Sequence, residues 1–296
     1  MTLYRRFQRG ILILLGFSCL SSGCHRGEPL RLDHPQLADG VTLRDVTFRS
    51  AGLAREMTYR VFLPVKLDAG QRLPVVYLLH GNGGGYRDWS NNSGVARYAA
   101  QGLILVMPEG DASYFMNAVG KLRDRYEDYL IRDLVADVEA RFPVRDGRSS
   151  AIVGVSMGGF AAIKFGLSHP EMFAFVGAMS PPLDVAERQF SWKRARQWWA
   201  FRTIFGPWGS AERRARDPLV LLQSADTAAV PYFYLTAGED EPLLESIRRF
   251  NARLGQRSFA HEFHVKPGGH DWTEWNAQIP GCFESLIQRL RLSSGN

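Results

Sequence analysis

Cysteine is scarce in this chain: Cys19, Cys24 and Cys282 are the three in 296 residues. No two of them have the spacing of a metal-binding pair, and only Cys282 lies beyond position 24, so neither a zinc site nor an intradomain disulfide frame organises the bulk of the sequence. Charge of a single sign is lacking as well. Lysine and arginine number 36 against 30 acids, and half of the net +6 sits on Arg5, Arg6 and Arg9. The mild excess that remains does not make the basic face that nucleic-acid binding demands. The apolar run from Ile11 to Leu20 is shorter than the ~20 residues that cross a bilayer. Internal repeats and low-complexity tracts are absent too. What is left is a chain with 45% hydrophobic residues, long enough to bury one large core.

The first residues, MTLYRRFQRGILILLGFSCLSSGC, place a basic stretch before an apolar run and then small residues. That is the layout of a secretory signal over residues 1–24, and it predicts export. Leu20-Ser21-Ser22-Gly23-Cys24 also resembles a bacterial lipoprotein processing site, with Ser21 where an aliphatic residue is usual. Lipidation of Cys24, giving a membrane tether, and simple release to the periplasm or medium both stand open. Residues 25–40 are polar, contain Pro29 and Pro35, and read as a tether. The domain is expected over 41–296.

Within that domain strands and helices alternate. VTLRDVTFRS and REMTYRVFLPV show period-two patterning and read as an antiparallel pair. LPVVYLLHG, LILVMPEG, SAIVGVS, FAFVGAMS and VPYFYLTAG are short continuous apolar runs, the mark of strands buried on both faces. FAHEFHVKPGG adds a further strand. YEDYLIRDLVADVEARF sets Leu130, Leu134, Val138 and Phe142 at helical spacing. Helices are also expected after the serine of SAIVGVS, over EPLLESIRRFNARL and over EWNAQIPGCFESLIQRLRL. The fold class predicted is α/β, a mostly parallel sheet with helices on both faces, binding ligands at the carboxyl ends of its strands.

Gly154-Val155-Ser156-Met157-Gly158 fits G-x-S-x-G between a buried strand and a small-residue helix, the context of a nucleophile elbow. Glycines on both sides let strand and helix approach closely around a serine lifted above the sheet edge. A serine hydroxyl needs a base at neutral pH. Of seven histidines, His25 and His34 fall in the tether, His169 ends a helix, and His261 and His264 fall on a strand. His80 precedes Gly81 and reads as structural. His270, in the glycine-rich KPGGHDWTEW near the end of the chain, fits the order Ser, acid, His. The acid lies among Glu239, Asp240 and Glu241 after VPYFYLTAG; spacing alone does not separate them.

Together LLHGNGGGYRDW, GVSMGGF, GEDEPLL and GGHDWTEW resemble the esterase family that includes esterase D (S-formylglutathione hydrolase), feruloyl and acetylxylan esterases and mycolyltransferases. The likeness spans about residues 41 to 292. It implies an α/β-hydrolase fold, a Ser, acid, His triad and no metal or organic cofactor. The family register places the acid at Glu241, with Asp240 the alternative, although Asp is the commoner residue there. It implies an oxyanion hole from the backbone N–H groups of Met157 and Asn82, with Gly83 to Gly85 letting the loop approach substrate and Asp88-Trp89 pinning it. Residues 181–218 are rich in Trp and Arg. Trp192, Trp198, Trp199 and Trp208 either line an acyl or sugar site or belong to an amphipathic helix packed on the domain or resting on a membrane. The expected activity is hydrolysis of a small-molecule or carbohydrate-linked ester through an acyl-enzyme, without nucleic acid. Acyl transfer to a sugar or other alcohol, or a binding protein with vestigial chemistry, are the alternatives.

Overall fold

In a computed structural model, residues 32–145, 148–185 and 195–292 are described. Eight strands form one sheet in the order β1-β2-β4-β3-β5-β6-β7-β8. These are β1 (Val41–Ser50), β2 (Arg55–Pro64), β3 (Val75–Leu79), β4 (Ile104–Pro108), β5 (Ser150–Val155), β6 (Phe173–Met179), β7 (Tyr232–Gly238) and β8 (His261–Lys266). β1 pairs antiparallel with β2 along its whole length, and β2 pairs antiparallel with β4. Every pairing from β4 through β8 is parallel. The expected α/β architecture is thus met.

Helices cover both faces. The first stretch of the chain contributes α1 (Asp88–Asn92), α2 (Ala96–Ala99), α3 (Tyr126–Asp128) and α4 (Val135–Arg141), with a π-helical segment, Tyr129–Leu134, between the last two. Then come α5 (Met157–Ser168), α6 (Ala195–Phe205), α7 (Ala211–Arg214), α8 (Pro218–Ser224), α9 (Leu244–Gln256) and α10 (Trp272–Leu292). β3 shows why both faces need cover. All five of its residues are buried. Val75, Tyr77 and Leu79 pack with α4, α5 and α9, whereas Val76 and Leu78 pack with α1, α2 and α10. Successive side chains of a strand point to opposite faces, so a strand apolar throughout must be covered twice.

The helix expected around Leu130, Leu134 and Val138 is present, and all three side chains are buried. It widens into the π-helical segment, a local register change that periodicity does not disclose. Its acidic face is engaged: Asp133 accepts from Ser50 Oγ at 2.5 Å and Gly52 N at 2.8 Å, and Asp137 accepts from Tyr59 Oη at 2.7 Å.

The order of strands also fixes where a ligand can sit. After β3 the chain goes to one side to make β4, and later to the other side of β3 to make β5. The loops after β3 and β5 therefore diverge, and the crevice between them lies at the carboxyl ends of these strands.

The tether reading of residues 25–40 needs correction at its end. From Asp33 on, the described residues belong to one compact unit. Arg60, 1% exposed on β2, is the reason. A guanidinium taken out of water must be paired, and Asp45 from β1 grips it with two bonds, at 2.7 and 2.9 Å. Asp33 supplies two more, at 2.8 and 2.6 Å, and Ser90 Oγ accepts a fifth at 2.9 Å. Gln36 N donates to Ser90 O at 2.7 Å, which holds the same segment down.

The Arg60 guanidinium keeps the Asp33 carboxyl below the ordinary aspartate range. A group with a lowered native pKa stabilises the fold above its unfolded value of about 3.9, and that contribution is lost as pH falls through the native value. Asp33→Asn is expected to cost about 1–2 kcal/mol at pH 7, the range of a charged hydrogen bond discounted for partial exposure. Urea titrations of both proteins should show the gap closing as pH drops below about 3.9. A gap unchanged by acid would refute the pairing.

Candidate active site

Ser156 sits between the end of β5 and the start of α5 with φ 52° and ψ −117°. A non-glycine residue held there costs about 1–3 kcal/mol, so the surroundings must enforce it. They do so by contact of main chain on main chain. A methyl group at Gly154 would lie 2.2 Å from the carbonyl carbon and oxygen of Gly158, and one at Gly158 would lie 2.3 Å from the carbonyl oxygen of Leu79. Neither site has room for a side chain. Ser156 N donates to Met179 O at 2.8 Å, and Phe160 N donates to Ser156 O at 3.0 Å, so both its backbone groups are fixed.

The other candidates arrive from the far end of the sheet. β7 ends at Gly238, where a side chain would collide with Gly268 O at 2.3 Å. This close approach brings the loop after β7 against the loop after β8. Glu241 is buried there. Its Oε1 accepts from Gly238 N at 3.2 Å, and its Oε2 lies 2.9 Å from His270 Nδ1. His270 Nε2 lies 2.8 Å from Ser156 Oγ. The assignment of protons follows from the partners: Nδ1–H donates to the carboxylate, and Nε2 accepts from the hydroxyl. Glu239 and Asp240 are exposed, and the N–H of Asp240 donates to Gly268 O at 3.0 Å. Burial and geometry therefore separate three acids that spacing left together. Ser156, His270 and Glu241 form one chain of hydrogen bonds through which a proton can leave a hydroxyl for an oriented imidazole.

The loop after β3 faces the serine. A side chain at Gly81 would lie 3.4 Å from Ser156 Cβ, and Asn82 follows, exposed. Met157 opens α5, and its N–H is among the first-turn donors that a helix leaves unpaired. His80 is buried, with Nδ1 2.8 Å from Gly81 O and Nε2 accepting from Gly110 N at 2.9 Å. Burial opposes charge on this ring, but Glu109, whose Oε1 lies 3.4 Å from the same Nε2, outweighs it and raises the imidazole above the ordinary histidine range. Trp89 Nε1 donates to Leu79 O at 3.0 Å, as expected of a residue pinning this loop.

Several contributors carried no sequence signal. Glu109, at the end of β4, accepts from Tyr86 N at 3.2 Å, Gly110 N at 3.0 Å and Asp111 N at 2.9 Å, and so ties the loop after β3 to the loop after β4. Trp275 meets the His270 ring edge-on at 5.3 Å; Trp272 packs on Trp275 at 5.2 Å and on Trp89 at 5.3 Å. This aromatic chain joins the loop of the histidine to the loop after β3. Glu274 is buried beneath them, and its Oε2 has no hydrogen-bond partner among the described residues. Burial pushes its carboxyl up, and the charges of Glu241 and Asp271 push the same way.

Of the tryptophans between β6 and β7, Trp192 lies outside the described residues, as do Cys19 and Cys24. Trp198 and Trp199 meet edge-on at 5.1 Å on α6, whose Phe201, Ile204 and Phe205 enter the core. α6 is thus a helix packed on the domain. Trp199 and Trp208 remain more than half exposed. His169 closes α5 with Nε2 3.5 Å from Glu127 Oε1, and His261 and His264 lie on β8. Among the described residues no cluster of His, Cys, Asp or Glu is placed to hold a metal ion.

Comparison with known proteins places this geometry. A family model described as "Putative esterase" matches residues 50–286. An acetyl esterase of Caldicellulosiruptor saccharolyticus is 25% identical over 260 residues, covering 82% of this chain and 97% of that protein. An esterase of Mycobacterium tuberculosis is 29% identical over 282 residues; 83% of this chain matches 59% of that longer protein. An S-formylglutathione hydrolase from Agrobacterium tumefaciens has the same fold, with a TM-score of 0.75 over 87% of this chain and 98% of that one at 20% identity.

The burial of Glu241 and exposure of Asp240 make a sharp forecast. Glu241→Gln should lower turnover of p-nitrophenyl acetate by about 10³-fold or more, because an amide facing Nδ1 favours the wrong tautomer. Asp240→Asn should change it less than twofold. Equal, mild losses in the two variants would show that neither carboxylate orients His270.

Proposed function

The chain belongs to the esterase family and is a serine carboxylic-ester hydrolase; we propose that it acts outside the cytoplasm on a small or carbohydrate-linked ester, through an acyl-enzyme on Ser156. One observation carries the mechanistic part of this reading: the unbroken run from Glu241 to His270 to Ser156, with separations of 2.9 and 2.8 Å. It supports the following sequence of steps. His270 Nε2 takes the hydroxyl proton as Ser156 Oγ attacks the ester carbonyl. The resulting imidazolium is stabilised by the Glu241 carboxylate, which stays ionised. Negative charge on the carbonyl oxygen is met by the N–H groups of Met157 and Asn82, each such donor contributing about 10²–10³-fold in rate. His270 then returns the proton to the departing alcohol. Water enters, His270 acts as base again, and the acid is released.

Carboxylic esters need no redox change, and the three side chains named supply nucleophile, base and orienting acid. Action outside the cytoplasm is supported by the basic stretch and apolar run ahead of Cys24. A membrane tether through Cys24 fits the same segment. Among the described residues no helix is long and apolar enough to cross a membrane.

Rapid mixing with excess p-nitrophenyl acetate should give a burst of nitrophenol close to one equivalent when deacylation is the slower step, and mass spectrometry of the quenched protein should find an acetyl group on Ser156. Ser156→Ala should lose the adduct and about 10⁴–10⁶-fold in turnover, since members of such a unit fail together. Ordinary turnover by that variant would overturn the proposal.

A further inference from the structure

A cavity of about 590 Å³ opens beside this site, between the turn joining β1 and β2, the loop after β4, the segment before α3, and α6. Its volume lies in the range of small-molecule sites. Nothing in the chemistry above uses it. It is nonetheless close to the reacting centre. β4 and β5 are separated in the sheet by β3 alone, which sets their ends about 10 Å apart at the usual strand spacing, and β2, which carries Arg55, lies one strand further out. Ser113 lines the cavity, and the next residue, Tyr114, donates its N–H to Met157 Sδ at 3.3 Å. One residue thus separates the cavity wall from the neighbour of the nucleophile.

The walls are fixed in place. Gly120 N donates to Thr203 O at 2.8 Å and Val119 N to Ile204 O at 3.2 Å, fastening the segment before α3 to α6. Asp111 is held at φ 45° by Glu109, which accepts its N–H. Asp111 in turn accepts from Arg55 Nη2 at 2.7 Å and from the buried Tyr126 hydroxyl, which itself accepts from the same Arg55 nitrogen.

The charges on these walls do not cancel. Five lining residues carry charge at neutral pH: Arg55, Lys121, Arg123, Asp111 and Asp124. Each acid is taken by a cation, Asp111 by Arg55 at 2.7 Å and Asp124 by Lys121 at 3.3 Å. Arg123 has no acceptor among the described residues, and neither do Nε and Nη1 of Arg55. A guanidinium offers donors only and stays charged, so the surplus on the cavity wall is one of positive donors. Planar donor pairs of this kind match carboxylate and phosphoryl oxygens.

We propose that this cavity is a specificity subsite for an oxyanion, a carboxylate or phosphoryl group carried on a tail of the ester about 15 Å from its scissile carbonyl, bound by Arg55 and Arg123. The inference rests on Ser156 being the nucleophile, and it narrows the substrate to esters with an acidic tail. Neutral esters would occupy the reacting centre alone and leave the cavity to water.

Matched substrates test this. One series pairs p-nitrophenyl hemi-esters of dicarboxylic acids with esters of monocarboxylic acids of equal chain length. A second compares acetyl esters of straight-chain alcohols ending in a methyl, a carboxylate or a phosphate group. The charged member should have a KM at least about tenfold lower than its neutral match once the chain is long enough to span the gap, the scale of one charge-assisted hydrogen-bond pair. A phosphate or a carboxylate optimum identifies the group preferred, and either supports the subsite. Arg123→Ala, at an exposed position with nothing to unfold, should bring the KM ratio toward one, and Arg55→Gln should do the same. Equal KM values within every pair, or a preference that survives both substitutions, would overturn the proposal. Turnover of p-nitrophenyl acetate reads Ser156 chemistry independently of any tail, so its loss would signal failure of the esterase mechanism instead.

Discussion

Main chain touches main chain at Gly154 and Gly158, and the rest of the site is built around that contact. The strand and the helix of the elbow approach to a distance at which no Cβ fits, and the helix start rests on the carbonyl of Leu79 besides. The chain has to reverse within one residue, and Ser156 takes up the strain in its backbone at φ 52°. The consequence is positional. The hydroxyl is set at the carboxyl end of β5, beside the switch point where the order of strands turns about β3, and α5 starts with its open N–H groups directed at the same crevice. Packing of the sheet supplies the stiffness: β3 and β5 are buried almost throughout.

The remaining groups are delivered by a second close approach of the same kind, Gly238 against Gly268. This contact holds the acid loop and the histidine loop together although Glu241 and His270 are 29 positions apart. Tryptophan rings then relate the histidine to the opposite wall, from Trp275 through Trp272 to Trp89. Glu109 does a similar service from below, collecting N–H groups from the loops after β3 and β4. Through it the walls of the neighbouring cavity share a support with the loop after β3. A tail-binding subsite fixed to the same support keeps a constant distance from the nucleophile, which is what discrimination by chain length requires.

Much of this was legible in the sequence, for physical reasons that can be named. The central strands declare themselves because burial on both faces leaves only apolar residues in short runs. The elbow declares itself because close approach of backbones tolerates only glycine at fixed offsets. His270 stood out by its place in chain order and its glycine-rich loop. The choice between Glu241 and Asp240 was different in kind: adjacent acids have the same local composition, and what distinguishes them is that one is buried against Gly238 N and the other faces solvent. The Arg60 cluster was hidden for a similar reason. Its partners Asp33 and Asp45 lie 27 and 15 positions away, and nothing in a polar N-terminal stretch announces that one of its acids neutralises a buried guanidinium. Pairings such as Trp89 with Trp272 are set by tertiary folding alone.

The central claim is that Ser156 is made nucleophilic by His270 across the junction of two loops. Reaction with a fluorophosphonate probe measures that property directly, since the probe reports on the hydroxyl without regard to the natural ester. The account predicts one adduct per chain, located by peptide mapping at Ser156, with a labelling rate that falls by orders of magnitude in His270→Ala while the circular dichroism spectrum is kept. Folded protein that does not label, or a His270→Ala variant that labels as fast as the parent, would contradict it.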